Sequence, residues 1–145
     1  MSKPSQDPAA LGTRELIELE RQRALALDLG GVADLFAEDA TWEAPFLRQG
    51  PLRGRKEIRR MLQHTEKGLK RSGVRPLRYD PEVWHESSDP EVVIVEFVVH
   101  AEVAGSDRTF SLPYVHIFRV RDGQIVSMRD YYTDGTNTAI AGDFG

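Results

Sequence analysis

The chain has 145 residues, of which 40% are apolar and 29% are charged, and its formal net charge is −4 at pH 7. This size and composition predict one globular domain, and the acidic balance argues against nucleic acid as the main partner. The absence of cysteine excludes disulfides, thiol catalysis and cysteine-bound metals. No apolar run is long enough to span a bilayer, so we expect no membrane partner. The first twelve residues lack the apolar core of a signal peptide, and we expect a cytoplasmic location.

The N-terminal half predicts helices around one strand. Residues 1–12 are rich in Pro, Ser and Ala, and we expect them to form a disordered tail. Thr13 is a suitable N-cap for a helix that runs to about Leu29, and Gly30-Gly31 breaks or kinks that helix. The elements that follow are a short helix (Val32–Ala37), a strand (Ala40–Phe46), a loop marked by Gly50, Pro51 and Gly54, and a helix from about Arg55 to Arg71.

The C-terminal half predicts a sheet. The predicted strands are Tyr79–Glu86, Val92–Ala104, Thr109–Arg121 and Gln124–Thr133. Short connections, including the two-residue turn Asp122-Gly123, predict an antiparallel meander. Because helices come first and the sheet last, we expect an α+β domain with helices packed on one face of the sheet. We expect this single domain to cover residues 13–134 and a second tail to cover residues 135–145.

The last two predicted strands combine a histidine and a carboxylate with apolar side chains. One face of the first strand carries Tyr114, His116 and Phe118, and one face of the second carries Val126, Met128, Asp130 and Tyr132. A charge on an apolar face is costly, and His116 could relieve that cost for Asp130. Such a pair is suited to acid–base chemistry. For Asp130 the alternatives are an ion pair with Arg129, Arg119 or Arg121 and exposure near the strand end. For His116 the alternative is a structural hydrogen bond to Tyr114 or to the backbone.

A resemblance to the NTF2-like superfamily rests on three segments: LFAEDATWEAP, GPLRGRKEIRRML and YVHIFRVRDGQIVSMRDYYT. The resemblance extends roughly from Leu16 to Asp134. It implies a cone-shaped fold, in which a curved antiparallel sheet encloses a cavity roofed by the N-terminal helices. This fold hosts many unrelated chemistries as well as non-enzymes, so the reaction has to be argued from individual residues.

Two enzyme types of this fold match poorly. The position of the ketosteroid isomerase base falls on Ala44, which cannot accept a proton. The position of the isomerase tyrosine falls on Glu20, and that of its protonated acid falls on His116, so we do not expect steroid isomerase activity. Polyether-forming epoxide hydrolases place a carboxylate on the first strand, where Ala44 again does not fit. The Asp-Arg-Asp triad of limonene-epoxide hydrolases has no complete counterpart in this sequence.

SnoaL-like polyketide cyclases match better, because their last-strand Asp falls on Asp130 and the preceding His falls on His116. The resemblance implies a cofactor-independent cyclase or isomerase that acts on an apolar polyketide-type intermediate in natural-product biosynthesis. His64 and His85 show no metal-ligand spacing, so we expect no metal. Asp130 would move a proton, and His116 would stabilise charge on an oxygen. The alternatives are an epoxide hydrolase or epoxide-opening cyclase, which needs a second carboxylate, a non-catalytic small-ligand-binding accessory protein, and a scaffold.

A second group of residues is expected to shape the pocket. Trp42, Tyr114 and Tyr132 would form aromatic walls, with the tyrosine hydroxyls orienting an oxygen. Glu20 shares a helical stripe with apolar residues and could place a second carboxylate in the cavity. The alternative is an exposed Glu paired with Arg23 or another helix residue. The other candidate lining residues are Met128, Phe46, Phe97, Val99, Leu112, Met61 and Leu62.

Two surface features indicate possible protein partners. Glu96, His100 and Glu102 alternate with apolar residues of their strand, so they should lie on the outer sheet face, which commonly forms a homodimer interface in this fold. A basic run is either a solvated helix face or a docking patch for an acidic acyl carrier protein. It comprises Arg48, Arg53, Arg55, Lys56, Arg59 and Arg60.

Overall fold

The computed structural model of the chain describes residues 11–133. Its elements are α1 (Thr13–Leu25), α2 (Leu29–Ala33), β1 (Phe36–Ala44), a 3₁₀ turn (Pro45–Leu47), β2 (Gln49–Arg53), α3 (Arg55–Ser72), β3 (Val74–Glu86), β4 (Val92–Val103), β5 (Thr109–Arg121) and β6 (Gln124–Tyr131). The predicted tails lie outside these residues, except that Leu11 packs against the core and Gly12 precedes α1. No helix in the described range is long and apolar enough to cross a membrane.

The sheet has six strands in the order β2-β1-β6-β5-β4-β3. Strands β3 to β6 form the predicted antiparallel meander, whereas β1 runs parallel to β6 and antiparallel to β2. The sheet is curved and does not close, and the predicted α+β class and NTF2-like cone are confirmed. Strand β2 occupies the segment that the sequence predicts as a loop around Gly50, so that prediction is wrong.

The start of α1 and the position of α2 differ from the prediction because local side chains cap them differently. Gly12, not Thr13, is the N-cap of α1, and its backbone N–H donates to the Glu15 carboxylate over 2.6 Å. The short second helix spans Leu29–Ala33 instead of Val32–Ala37, because the Asp28 side chain accepts from the Gly31 N–H at 3.0 Å and caps it. A Cβ at Gly31 would collide with that carboxylate, so glycine permits the cap.

Strand β6 pairs with β5 in two registers that differ by one residue. Next to the turn the partners are Arg121–Gln124 and Val120–Ile125, and farther along they are Phe118–Met128 and His116–Asp130. The extra residue on β6 makes a β-bulge. The prediction that Val126 shares the inner face of β6 with Met128 is therefore wrong. Ile125 is fully buried at this point, and Val126 is only half-buried. Asp122 and Gly123 both adopt positive φ, as the predicted two-residue turn requires.

The hydrophobic core lies between the helices and the inner face of the sheet. Strand β5 illustrates its extent: Phe118 and Val120 are buried in the core, whereas Leu112, Tyr114 and His116 line a cavity. The fully buried large side chains are Phe36, Phe118, Leu16, Ile17, Leu35, Ile58, Ile125 and Val95. Core and cavity therefore share the inner face of β5.

Candidate active site

A cavity of about 550 Å³ lies between α1, α3 and the inner face of the sheet. Most of the side chains that surround it are apolar. The structure places ten of the eleven predicted pocket residues in its wall: Glu20, Trp42, Met61, Leu62, Phe97, Val99, Leu112, Tyr114, Met128 and Tyr132. Phe46 is the exception, and its predicted place in this cavity is wrong. The strand ends at Ala44, so Phe46 falls in the 3₁₀ turn, where it is 65% exposed and contacts Tyr131.

His116 and Asp130 face each other across β5 and β6 at the edge of this cavity. His116 Nε2 lies 2.9 Å from Asp130 Oδ1, and the two side chains are only 9% and 14% exposed. Neither atom makes an aligned hydrogen bond, so the two groups are in close contact without hydrogen-bond geometry. The rings of Phe97 and Phe118 pack edge-on against the imidazole at 4.7 and 5.4 Å between centroids and fix its orientation.

Two of the three arginines near Asp130 in the sequence are engaged elsewhere. Arg119 donates to Asp89 and Glu91 at 2.9 and 3.0 Å, and Arg121 binds Glu91 through two hydrogen bonds. These bonds hold the pKa of Glu91 at about 2. The structural ion-pair alternative for Asp130 therefore does not hold for Arg119 or Arg121.

Glu20 brings a second carboxyl group to the cavity. Glu20 is only 4% exposed, and its Oε1 atom has no hydrogen-bond partner. Burial raises the pKa of Glu20, an effect opposed by the charges of His116 and Arg21. The exposed alternative is wrong, because Arg23 instead donates to the Gly31 carbonyl at 2.6 Å. A buried carboxyl with a raised pKa favours its protonated form, which can donate a hydrogen bond.

Arg21 is a cavity residue that the sequence interpretation missed. Its side chain is 6% exposed and lines the same space as Glu20. Nε donates to Glu82 Oε1 at 3.1 Å, and the same oxygen accepts from the Trp84 indole at 2.8 Å. Nη2 is buried and has no partner. The helical spacing from Ile17 offered a signal, since positions four apart share one face of a helix.

Aromatic rings form one wall of the cavity. Tyr114 stacks on Phe97 and Tyr132 at 5.2 and 4.8 Å between centroids, and Tyr79, which the sequence interpretation did not include, packs edge-on against Phe97. Burial raises the pKa of both Tyr79 and Tyr114. Their hydroxyl groups therefore stay protonated at physiological pH and can serve as donors.

The outer face of the sheet carries the polar residues that alternation predicts there. Glu96 lies 2.6 Å from His85, and His100 contacts Ser111 and the Asp80 carbonyl. Glu102 pairs with Arg75.

Within residues 11–133, no group of three or more His, Asp or Glu side chains is arranged to hold a metal ion. The cavity thus offers an Asp–His pair, a buried carboxyl and a buried guanidinium, which suits proton transfer and oxygen binding.

A family model described as a SnoaL-like domain matches residues 19–128. The chain belongs to the SnoaL-like family. The matched segment includes Glu20, Arg21 and His116, and Asp130 lies just beyond it. A search of curated proteins found no match.

Solved structures similar to this SnoaL-like chain share its fold over 80% or more of their length. A "putative isomerase" from Bacillus subtilis is 20% identical with a TM-score of 0.71, covering 98% of this chain and 97% of that one. A "putative polyketide cyclase" from Xanthomonas campestris is 26% identical with a TM-score of 0.65, covering 96% and 98%. An epoxide hydrolase of M. tuberculosis is 18% identical with a TM-score of 0.56, covering 81% and 80%.

Proposed function

We propose that this SnoaL-like protein is a cofactor-independent cyclase or isomerase that acts on an apolar polyketide-type intermediate in natural-product biosynthesis. The observation that carries the proposal is the Asp130–His116 contact of 2.9 Å at the wall of an apolar cavity. The similarity to a protein named a polyketide cyclase and to one named an isomerase supports the same class of reaction. A cavity of about 550 Å³ accommodates a ligand of two or three fused rings.

Proton transfer at carbon follows from this arrangement. The Asp130 carboxylate removes a proton from the carbon next to a substrate carbonyl, and His116 or the protonated Glu20 donates to the oxygen that becomes negative. Apolar side chains surround these groups, so their polar contacts act at a lower local dielectric than in bulk water. The enolate then attacks a second carbonyl in a cyclisation, or is reprotonated at another carbon in an isomerisation.

The shape of the cavity contributes as well. Trp42 is 4% exposed and, with the stacked rings of Phe97, Tyr114 and Tyr132, surrounds the space in which a flexible chain would have to fold. Ordering reacting groups before reaction removes an entropic barrier of up to about 7–11 kcal/mol in the best cases. A cyclase of this type therefore depends on both the acid–base pair and the aromatic wall.

The acid–base proposal can be tested without the natural substrate. The probe is 2-tetralone, a bicyclic ketone whose α-protons exchange with deuterium when they are abstracted, and NMR measures the exchange rate in D₂O. We expect the wild-type protein to accelerate exchange, and Asp130→Asn and His116→Ala to lower that acceleration about 10²–10⁴-fold. Trp42→Ala should weaken binding of the ketone more than it slows exchange of bound ketone.

The matched control is His85→Ala, because His85 also contacts a carboxylate, that of Glu96, but on the exposed outer face. The His85→Ala variant should accelerate deuterium exchange of 2-tetralone as much as the wild-type protein does. If Asp130→Asn and His116→Ala also keep the wild-type rate, the acid–base mechanism is refuted. A protein that binds the ketone without accelerating exchange would be a ligand-binding accessory protein.

Epoxide opening is a second candidate function, and buried Glu20 is the observation that favours it. Epoxide-opening enzymes need an acid that protonates the ring oxygen and a base that activates the nucleophile. A carboxyl whose pKa burial raises is suited to be the acid, while Asp130 is suited to be the base. Styrene oxide serves as the probe, and diol formation that Glu20→Gln abolishes would support this function over carbon acid chemistry.

Two partner proposals concern the outside of the domain. A homodimer would cover the outer groove of about 400 Å³, whose rim includes exposed Phe46 and Val83. Light scattering of Val83→Asp should then report a monomer.

An acyl carrier protein would dock on the basic start of α3, where Lys56 and Arg60 are exposed. Reversing both to Glu should weaken its binding; Arg59 is unsuited to this test because it pairs with Asp34 at 2.7 Å.

A further inference from the structure

Arg21 is held rigidly in the roof of the cavity. Its Nε is bound to Glu82, and Glu82 is in turn held by the Trp84 indole through the same oxygen. The guanidinium carbon lies 4.0 Å from the centre of the Phe97 ring and 5.5 Å from that of Tyr79. The ion pair and the two ring contacts hold the guanidinium near this position.

Nη2 of Arg21 is the unsatisfied part of this arrangement. It is buried and has no hydrogen-bond partner, although the arginine is charged at every physiological pH. A buried donor without an acceptor is destabilising, and a charged donor more so. Arg21 lines the cavity, and we expect a ligand oxygen beside it to be the acceptor for this group.

The charges around Arg21 favour an anionic acceptor. Glu82 is 24% exposed, and its Oε1 is shared between Arg21 and Trp84, so it meets only one side of the guanidinium. Asp130 is engaged with His116. Burial disfavours a negative charge on Glu20, the remaining carboxyl in the wall, and raises its pKa. Arginine N–H groups bind carboxylates more strongly than neutral oxygens.

We propose that Arg21 is the binding site for a carboxylate of the ligand, so that the cavity accepts an apolar molecule bearing one acid group. The carboxylate accepts from Nη2 beside α1, and the apolar body lies along Phe97, Leu112 and Met61. This assignment names the substrate class of the proposed enzyme and rests on that function. It also sets the orientation of the ligand, because its acid end is fixed at the helix and its remaining carbons extend toward Asp130.

The test compares 2-naphthoate with methyl 2-naphthoate, which differ in the charge of one group. Tryptophan fluorescence follows binding, since Trp42 lies in the wall. We expect the wild-type protein to bind the acid at least tenfold more tightly than the ester at pH 7. Arg21→Met should weaken acid binding at least tenfold and leave ester binding unchanged, and Arg21→Lys should restore part of the preference.

The control is Arg14→Met, since Arg14 lies on the same helix with a side chain 61% exposed and stacks on Trp84 outside the cavity wall. It should keep the preference for the acid. Equal binding of acid and ester by the wild-type protein overturns the assignment, and this comparison needs no folded variant. A loss of both ligands to the same extent in Arg21→Met also overturns it, because it indicates a structural role. The proposals fail separately: unchanged 2-tetralone exchange in the Asp130 and His116 variants refutes only the acid–base function.

Discussion

Ile58 is the side chain through which α3 is anchored, and its truncation should be unusually damaging. It is fully buried, whereas Met61, Leu62 and Leu69 of the same helix are half-buried and face the cavity. Ile58→Ala removes three buried carbon groups, which at about 0.8 kcal/mol each amounts to about 2.4 kcal/mol. The void left behind adds a further penalty, so we expect a loss of about 2.4–5 kcal/mol in the free energy of unfolding.

Urea denaturation at pH 7 measures this loss, and a thermal melt should show the midpoint falling by about 5–10 °C for the lower figure. Ile58→Val removes one carbon group and should cost about 0.5–1.5 kcal/mol. Met61→Ala is the matched control, because its side chain already faces empty space on one side and loses fewer contacts. If Met61→Ala is as destabilising as Ile58→Ala, the view that α3 is held mainly by Ile58 is refuted.

The remaining predictions concern pH. The pKa of Glu20 is raised in the folded protein, so the folded state binds more protons than the unfolded state, and stability falls as pH rises from 4.5 through the folded pKa. Glu20→Gln should therefore be more stable than the wild type at pH 8 and show no advantage at pH 4, as measured by urea unfolding. The effect of Glu91 on the pH dependence of stability is opposite. Because its pKa is lowered to about 2, its stabilising contribution is present above pH 4.5 and disappears as pH falls toward 2. Glu91→Gln should thus show its deficit at pH 7 and not at pH 2, and the same pH trend for both variants would contradict this reasoning.

Local patterns in the sequence predict much of the sheet. Strand β5 has the predicted bounds, Thr109–Arg121, because alternation and the Asp122-Gly123 turn both mark its end. Strand β2 was not predicted, since its five residues contain Gly50 and Pro51 and form a strand only by pairing with β1. The bounds of the second helix differ from the prediction because the Asp28 cap depends on a backbone turn that the sequence pattern does not reveal.

Some residues of the candidate site could likewise be predicted from the sequence, and others could not. His116 and Asp130 could be selected because each is a polar residue in an apolar alternating strand. Arg21 was harder to select. Its spacing from Ile17 is a signal, but an arginine on a helix is usually exposed, and the burial of this one depends on Glu82, 61 residues away along the chain. Glu20 left two alternatives open for the same reason: only the packing of α1 over the sheet decides which side of the helix is enclosed.

The bulge in β6 makes the acid–base pair sensitive to where a single residue is gained or lost. Deleting Val126 would remove the extra residue and leave Asp130 opposite His116. Deleting Arg129 would instead bring Asp130 opposite Ile117 and turn its carboxylate to the outer face. Two genes that each lack one codon in this hairpin would encode chains of equal length, and only one of them would keep the pair.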